Sequence, residues 1–417
     1  MARVKRPEKS CAVNPLKMSQ PVGAAMAFLG VRGAAPLLLG SRGCATVGLV
    51  FLVRHFQEPI SFETVAMDEV SAVLGGTDEL EKSLLALHDC HAPDLVGLIS
   101  TGLNETRGDD VAGALRLIRG KHEHSRPDFA AMETVCVSAP DFTGAYQDGW
   151  GAATLAMAES LVQPKGEKDG KRINVLAGQH LTPGDVEEIK DTLECFGLKH
   201  TVLPDISGPL GGLDSGLERP AGPGTSLEDI RAMGTSAFTI AVGEHMRPAA
   251  QGLERLAGVP FRVFESLTGL GPCDEFTTLL AQLSGLDVPA RFRRQRARLL
   301  DAMLCAQGCF AGRRAAVASA ASPILEKIPV SEVLIGDLED LETGVVGADL
   351  IIAPSSARGV AARLGVPLLR AGLPVSDRLG AGHKVSVGYR GTRELIFEMA
   401  NFFLRDQDEP GHGLIPA

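Results

Sequence analysis

Short apolar runs alternate with longer helix-patterned segments through most of the chain, and no other feature of the sequence restricts the fold as tightly. The runs are 36–39, 95–100, 135–138, 173–177, 201–204, 238–242, 261–264, 332–335, 349–353 and 367–370. Many end in Gly, Ser or Pro and pass straight into a helical pattern. Parallel strands need a long crossover, and the helix that supplies it packs on the sheet. The expected fold class is therefore α/β with mainly parallel sheets covered by helices.

At roughly 150 residues per domain, a chain of 417 residues makes two to three domains. Residues 163–172, QPKGEKDGKR, are polar and charged and read as a seam. Residues 208–225 are rich in glycine and proline and read as a long surface loop inside the second unit. An arginine-rich helical stretch, RFRRQRARLLDAML (291–304), leads into the third. The expected partition is 1–165, 170–290 and 308–405, with a connecting helix over 291–307 and a tail over 406–417.

One helix is marked at both ends. Thr182 is a cap, Pro183 suits the first turn, and Asp185, Glu187 and Glu188 face the positive end of the dipole. Val186, Ile189, Leu193 and Phe196 form one apolar face, and Gly197 stops the helix. The third unit is less regular. Between the apolar runs 315–318 and 333–335 stand Pro323 and Pro329, which leave room for about one helical turn. A parallel crossover needs about a dozen residues. Either the first run belongs to another sheet or a helix is missing, and the third domain is shortened.

Composition removes several classes of function. The formal net charge is −10, with one Trp and two Tyr. A basic nucleic-acid footprint and stacking platforms for single strands are both missing. No apolar run reaches the roughly 20 residues that cross a bilayer. The basic start, MARVKRPEKS, is not followed by the apolar core of a signal peptide. Eight cysteines, at 11, 44, 90, 136, 195, 273, 305 and 309, are spread thinly, as in a cytoplasmic protein with reduced thiols. There is no Walker-type phosphate loop, no dinucleotide glycine fingerprint, no H-E-x-x-H and no G-x-S-x-G. Cys305 and Cys309 lie one helical turn apart and read as packing residues. His88-Asp89-Cys90-His91 points in several directions on a helix, His122-Glu123-His124 reads as solvated surface, and His55 as a packed histidine.

Cys44 differs by position. In PLLLGSRGCATVG (36–48) it follows a strand end and a glycine turn and opens a helix. Backbone N–H groups and the helix dipole there favour a thiolate and an anionic ligand, an iron–sulfur cluster included. Two readings stay open: a buried cysteine acting as a small hydrophobe, or a cluster ligand. A cluster wants four thiolates, and no second cysteine follows a comparable turn. A ligand role therefore puts the remaining cysteines on another chain, and the apolar segment 44–53, read as a buried helix, forms part of the interface wall.

NPLKMSQPVGAAMAFLGVRGAAPLLLGSRGC (14–44), VRHFQEPI (53–60), STGLNETRGDD (100–110), SAPDFTGAYQDGW (138–150), LTPGDVEEI (181–189), IGDLEDLE (335–342) and GVPLLRAGLPVSDRLG (365–380) together resemble the beta-like subunits of the nitrogenase component 1 superfamily. The resemblance spans nearly the whole chain and implies three Rossmann-like domains. In catalytic beta subunits three cysteines hold an eight-iron cluster. Their counterparts by resemblance are Ser19, Cys44 and Gly102, of which only Cys44 is a cysteine.

One retained cysteine is the pattern of the NifN-type subunits of the iron–molybdenum cofactor assembly scaffold. That resemblance implies an α2β2 heterotetramer with a NifE-type partner. A [4Fe–4S] cluster at the interface would take three partner cysteines and Cys44, with Ser19, Gly43 and Gly102 close by or as ordinary turn residues. It further implies a cofactor precursor bound mainly by the partner. The Fe protein, a precursor donor and apo-nitrogenase would be transient partners, and neither nucleic acid nor membrane a partner. The chain departs from the family between AAVA and SPILEKIP, where a helix and a strand are usual. A nitrogenase-like reductase, such as the B subunit of light-independent protochlorophyllide reductase, is the alternative, because it too uses a cluster of mixed chain origin.

Overall fold

The computed structural model describes residues 3–5, 18–56, 60, 62–65, 76–164, 166–208, 210, 224–318, 332–334 and 336–408. The strands are β1 (Arg3–Lys5), β2 (Ala34–Leu39), β3 (Glu63–Thr64), β4 (Leu95–Ser100), β5 (Glu133–Val137), β6 (Asp169–Leu176), β7 (Lys199–Leu203), β8 (Ser236–Val242), β9 (Phe261–Phe264), β10 (Ala315–Val317), β11 (Glu332–Leu334), β12 (Leu350–Ala353) and β13 (Leu368–Arg370). All the ladders among them are parallel. Each of the ten apolar runs is a strand, with ends moved by a few residues.

The chain forms two compact units. One comprises 18–265 with 380–384 and carries two four-stranded sheets, ordered β3-β2-β4-β5 and β7-β6-β8-β9. In the first sheet β4 is buried along its whole length, so successive side chains feed two cores. Val96 and Leu98 join Leu37, Leu80, Leu84, Leu115 and Ile118 on one face. On the other, Gly97 lies against the ring of Phe28, which comes from helix α1 (Gln20–Leu29).

Helix α2 (Arg42–Leu52) follows β2, and α3 (Gly102–Arg107) follows β4. Helix α4 (Tyr146–Leu161) packs on α1. Helix α5 (Pro183–Cys195) bears the capping box that its sequence announces. The Thr182 hydroxyl accepts from the Asp185 N–H at 2.9 Å, and the Asp185 carboxylate accepts from the Thr182 N–H at 3.1 Å. Val186, Ile189, Leu193 and Phe196 are all buried.

In the second sheet the buried Asn174 is satisfied. Its amide donates to Met233 O at 3.0 Å and Thr239 Oγ1 at 3.2 Å, and Ser236 Oγ donates to its oxygen at 2.8 Å. Trp150, on α4, donates its indole N–H to Ala177 O at 2.8 Å.

The other unit comprises 266–379 and 385–417 with 1–17. Its sheet is ordered β10-β12-β13, while β11 pairs separately with β1. The runs at 315–318 and 333–335 thus stand in different sheets, which answers the crossover problem. One face of the sheet packs Ile351, Ala353, Val360, Ala361 and Leu368. The other gathers Leu350, Leu369 and Phe403 beneath α6 (Ala290–Phe310) and α7 (Gly388–Asp408). Phe292, Leu299, Ala302 and Ala306 form the buried stripe of α6.

Candidate functional site

Parallel strands place all their carboxyl ends on one edge of a sheet, and in the first sheet that edge collects Ser19, Gly43, Cys44 and Gly102. Register pairs Leu39 of β2 with Ser100 of β4. Helices α2 and α3 therefore begin side by side, each a few residues beyond its strand. Helix α1 leads into β2 through the tight turn at 30–33 and packs along β2 and β4, so its start lies at the same edge. Gln20 fixes that placement. Its amide donates to Pro140 O at 3.1 Å and Thr143 O at 2.5 Å, in the loop beyond β5.

Side-chain bonds stitch the edge. Thr101 Oγ1 donates to Leu39 O at 2.8 Å, which ties the ends of β2 and β4. Ser100 and Ser138 both donate to the Glu105 carboxylate, Ser138 at 2.6 Å, and the Ala139 N–H donates to Ser100 Oγ at 3.0 Å. The ends of β4 and β5 are thereby held together by side chains from α3 and both strands.

Ser19 is the extended N-cap residue of α1, and Ser41 that of α2; neither caps its helix with its side chain. The first-turn N–H groups of α1 and α2 and their positive dipole ends lie at this edge. Cys44 is the third residue of α2, and its side chain lies outside the described residues. Gly43 is exposed, and among the described residues a Cβ there would meet only Ser41 Oγ, at 3.7 Å. Gly102 is the opposite case. It is buried as the first residue of α3, and a Cβ there would fall 2.2 Å from Asp141 Oδ1 and 3.2 Å from Phe142 Cδ1. The structure thus brings Ser19, Gly43, Gly102 and the backbone of Cys44 to one edge.

The segment behind Cys44 is a helix, as expected, but it is not buried all round. Val50 is 64% exposed and Val53, just beyond the helix, 51%. Hydrophobic character alone did not separate a core helix from one with an open apolar face. At the edge itself Phe142 is 60% and Leu103 38% exposed. The sequence reading missed Gln20 and Asp141. Both lie inside the quoted motifs, but their contacts join residues about 120 and 40 positions apart, and no spacing rule reaches that far.

The other motifs are structural. His88 and His122 both stand edge-on to Phe129, with centroids 5.6 and 5.3 Å away. His122 bonds Glu81 at 2.7 Å, and Asp89 pairs with Arg126. His55 packs edge-on against Phe56. Cys305, expected as a packing residue, is instead exposed on α6 beside Arg298, Asp301 and Phe397, and Cys309 is half-buried. Cys273 is a buried thiol, pushed up to about 12 by burial, whose Sγ lies 3.4 Å from Leu267 O. Among the described residues no group of three or more His, Cys, Asp or Glu is arranged to hold a metal. The donor set does not fit a cluster held by this chain alone. One cysteine in the first turn of a helix, beside an open glycine, fits a cluster completed from another chain.

Comparison with known proteins agrees with this architecture. The family model described as nitrogenase component 1 type oxidoreductase matches residues 19–326 and 319–404. The chain is 45% identical to the nitrogenase iron-molybdenum cofactor biosynthesis protein NifN of Bradyrhizobium diazoefficiens, over 98% of this chain and 93% of that one. It is 43% identical to the protein of the same name from Nostoc sp. strain PCC 7120, over 97% and 96%. The solved structure titled "Nitrogenase Cp1 at pH 6.5" superposes with a TM-score of 0.90 at 26% identity, covering 99% of this chain and 98% of that one. The alignment to the Bradyrhizobium protein runs over 440 positions, more than the 417 residues here, so that relative carries residues this chain lacks. The family match comes in two segments that overlap over 319–326, just after β10 in the sequence. With the family model matched along nearly the whole chain and the fold shared throughout, this chain belongs to the nitrogenase component 1 type oxidoreductase family.

Proposed function

We propose that this chain is the NifN-type subunit of the scaffold on which the iron–molybdenum cofactor is matured, and that Cys44 supplies one thiolate to a [4Fe–4S] cluster shared with a NifE-type partner in an α2β2 heterotetramer. The observation that carries the reading is the single cysteine in the first turn of α2, at a sheet edge where α1 also begins. Leu103 and Phe142 are exposed at the same edge. The relatives named NifN support the same assignment.

Each local feature has a task under this reading. The N-terminus of α2 stabilises the Cys44 thiolate. Gly43 leaves the approach open, while Leu103, Phe142, Val50 and Val53 offer apolar area for the partner to cover. When bound, the cluster supplies one-electron transfer. The precursor sits mainly on the partner; the Fe protein, the precursor donor and apo-nitrogenase are transient partners, and the complex works in the cytoplasm.

The test is maturation itself. The purified complex with its NifE-type partner, given precursor, molybdate, homocitrate, Fe protein and MgATP, is expected to activate apo-nitrogenase in proportion to the complex added. No activation, or reduction of protochlorophyllide instead, contradicts the proposal.

A further inference from the structure

The crowding at Gly102 singles out a residue with no assigned role. A Cβ at position 102 would lie 2.2 Å from Asp141 Oδ1, so the carboxylate already occupies the space into which a side chain there would project. Asp141 follows β5 and reaches back over the start of α3. The Thr101 hydroxyl ties that start to Leu39, two residues ahead of the N-cap of α2. Two nearby carboxylates are paired: Glu105 accepts from Ser100 and Ser138, and Asp110 caps its own helix. Asp141 is exposed and makes no hydrogen bond and no ion pair among the described residues. Its neighbour Phe142 is one of the exposed apolar side chains of the edge.

We propose that Asp141 is the electrostatic tuning residue of the group held beside Cys44: an unneutralised carboxylate, standing where a side chain at 102 would be, that lowers the reduction potential of the cluster. The inference rests on Cys44 being a cluster ligand. Reduction adds an electron to a group that is already anionic, and a fixed negative charge nearby opposes that step. A partner that covers Phe142 removes the water that otherwise screens the carboxylate. A side chain at 102 would have to displace the Asp141 carboxylate, so glycine there is what lets the carboxylate stand over the start of α3.

Dye-mediated redox titration, read by EPR of the reduced [4Fe–4S] signal, tests the proposal in the complex with the NifE-type partner. D141N and D141A are expected to retain iron and to titrate at higher potential than wild type, while D141E stays near it. Unchanged potentials in D141N and D141A overturn the proposal. So does loss of the cluster from D141N and D141E alike, which assigns Asp141 a structural task. A wild-type complex without any [4Fe–4S] signal overturns the cluster reading itself, before any Asp141 variant is compared.

Discussion

Asp377 holds the turn after β13 through an Arg370 fork, with the guanidinium donating from Nη2 at 2.8 Å and from Nε at 3.2 Å. Ser355 also donates to it, and both ionic partners are largely buried. The Arg370 bond, ahead of the Ser355 bond, holds the carboxyl down to about 2, against about 3.9 in an unfolded chain. A folded value below the unfolded one gives stability that is present above the unfolded value and lost as pH falls through the folded one. D377N is therefore expected to destabilise by about 2 kcal/mol near neutrality. The difference from wild type should shrink between about pH 4 and pH 2. Urea unfolding of both proteins across that range measures it, and a pH-independent difference contradicts the assignment.

The crossing of α1 and α4 is built by backbone rather than by side chains. A Cβ on Gly23 would fall 1.9 Å from Tyr146 O, and one on Gly149 would fall 1.9 Å from Gln20 O. Helix backbone cannot retreat from a methyl group as a flexible side chain can. G149A is expected to cost on the order of 2–3 kcal/mol. A thermal-unfolding midpoint indistinguishable from wild type would contradict that packing.

This is also the scale at which the sequence was most and least legible. Strands were legible because apolar runs ending in Gly, Ser or Pro report burial on both faces, and α5 because Thr182, Pro183 and Asp185 spell its start. The two-residue β3 gave no signal, being too short to show any period. The open face of α2 was read as core because interface and core draw on the same residues. Of the candidate site, Cys44, Ser19, Gly43 and Gly102 were legible from motifs. The Asp141 carboxylate over Gly102 was not, because only the parallel register of β4 and β5 brings them together.

At the scale of the whole molecule, two features mark the region around β10 and β11. The third sheet holds three strands, with β11 paired to β1 instead. Val317 of β10, within the first matched segment, is 49% exposed. Both strands lie in the unit of residues 266–379, whereas Cys44 and its edge belong to the unit of residues 18–265. Cluster binding is therefore expected not to depend on that region, with Cys44 supplying one thiolate across an interface. Iron content and low-temperature EPR of the dithionite-reduced complex with a NifE-type partner, wild type beside C44A, test this most directly. The expected result is a reduced [4Fe–4S] signal that is lost or altered in C44A. An identical signal and iron content in both would contradict it and make Cys44 a packing residue.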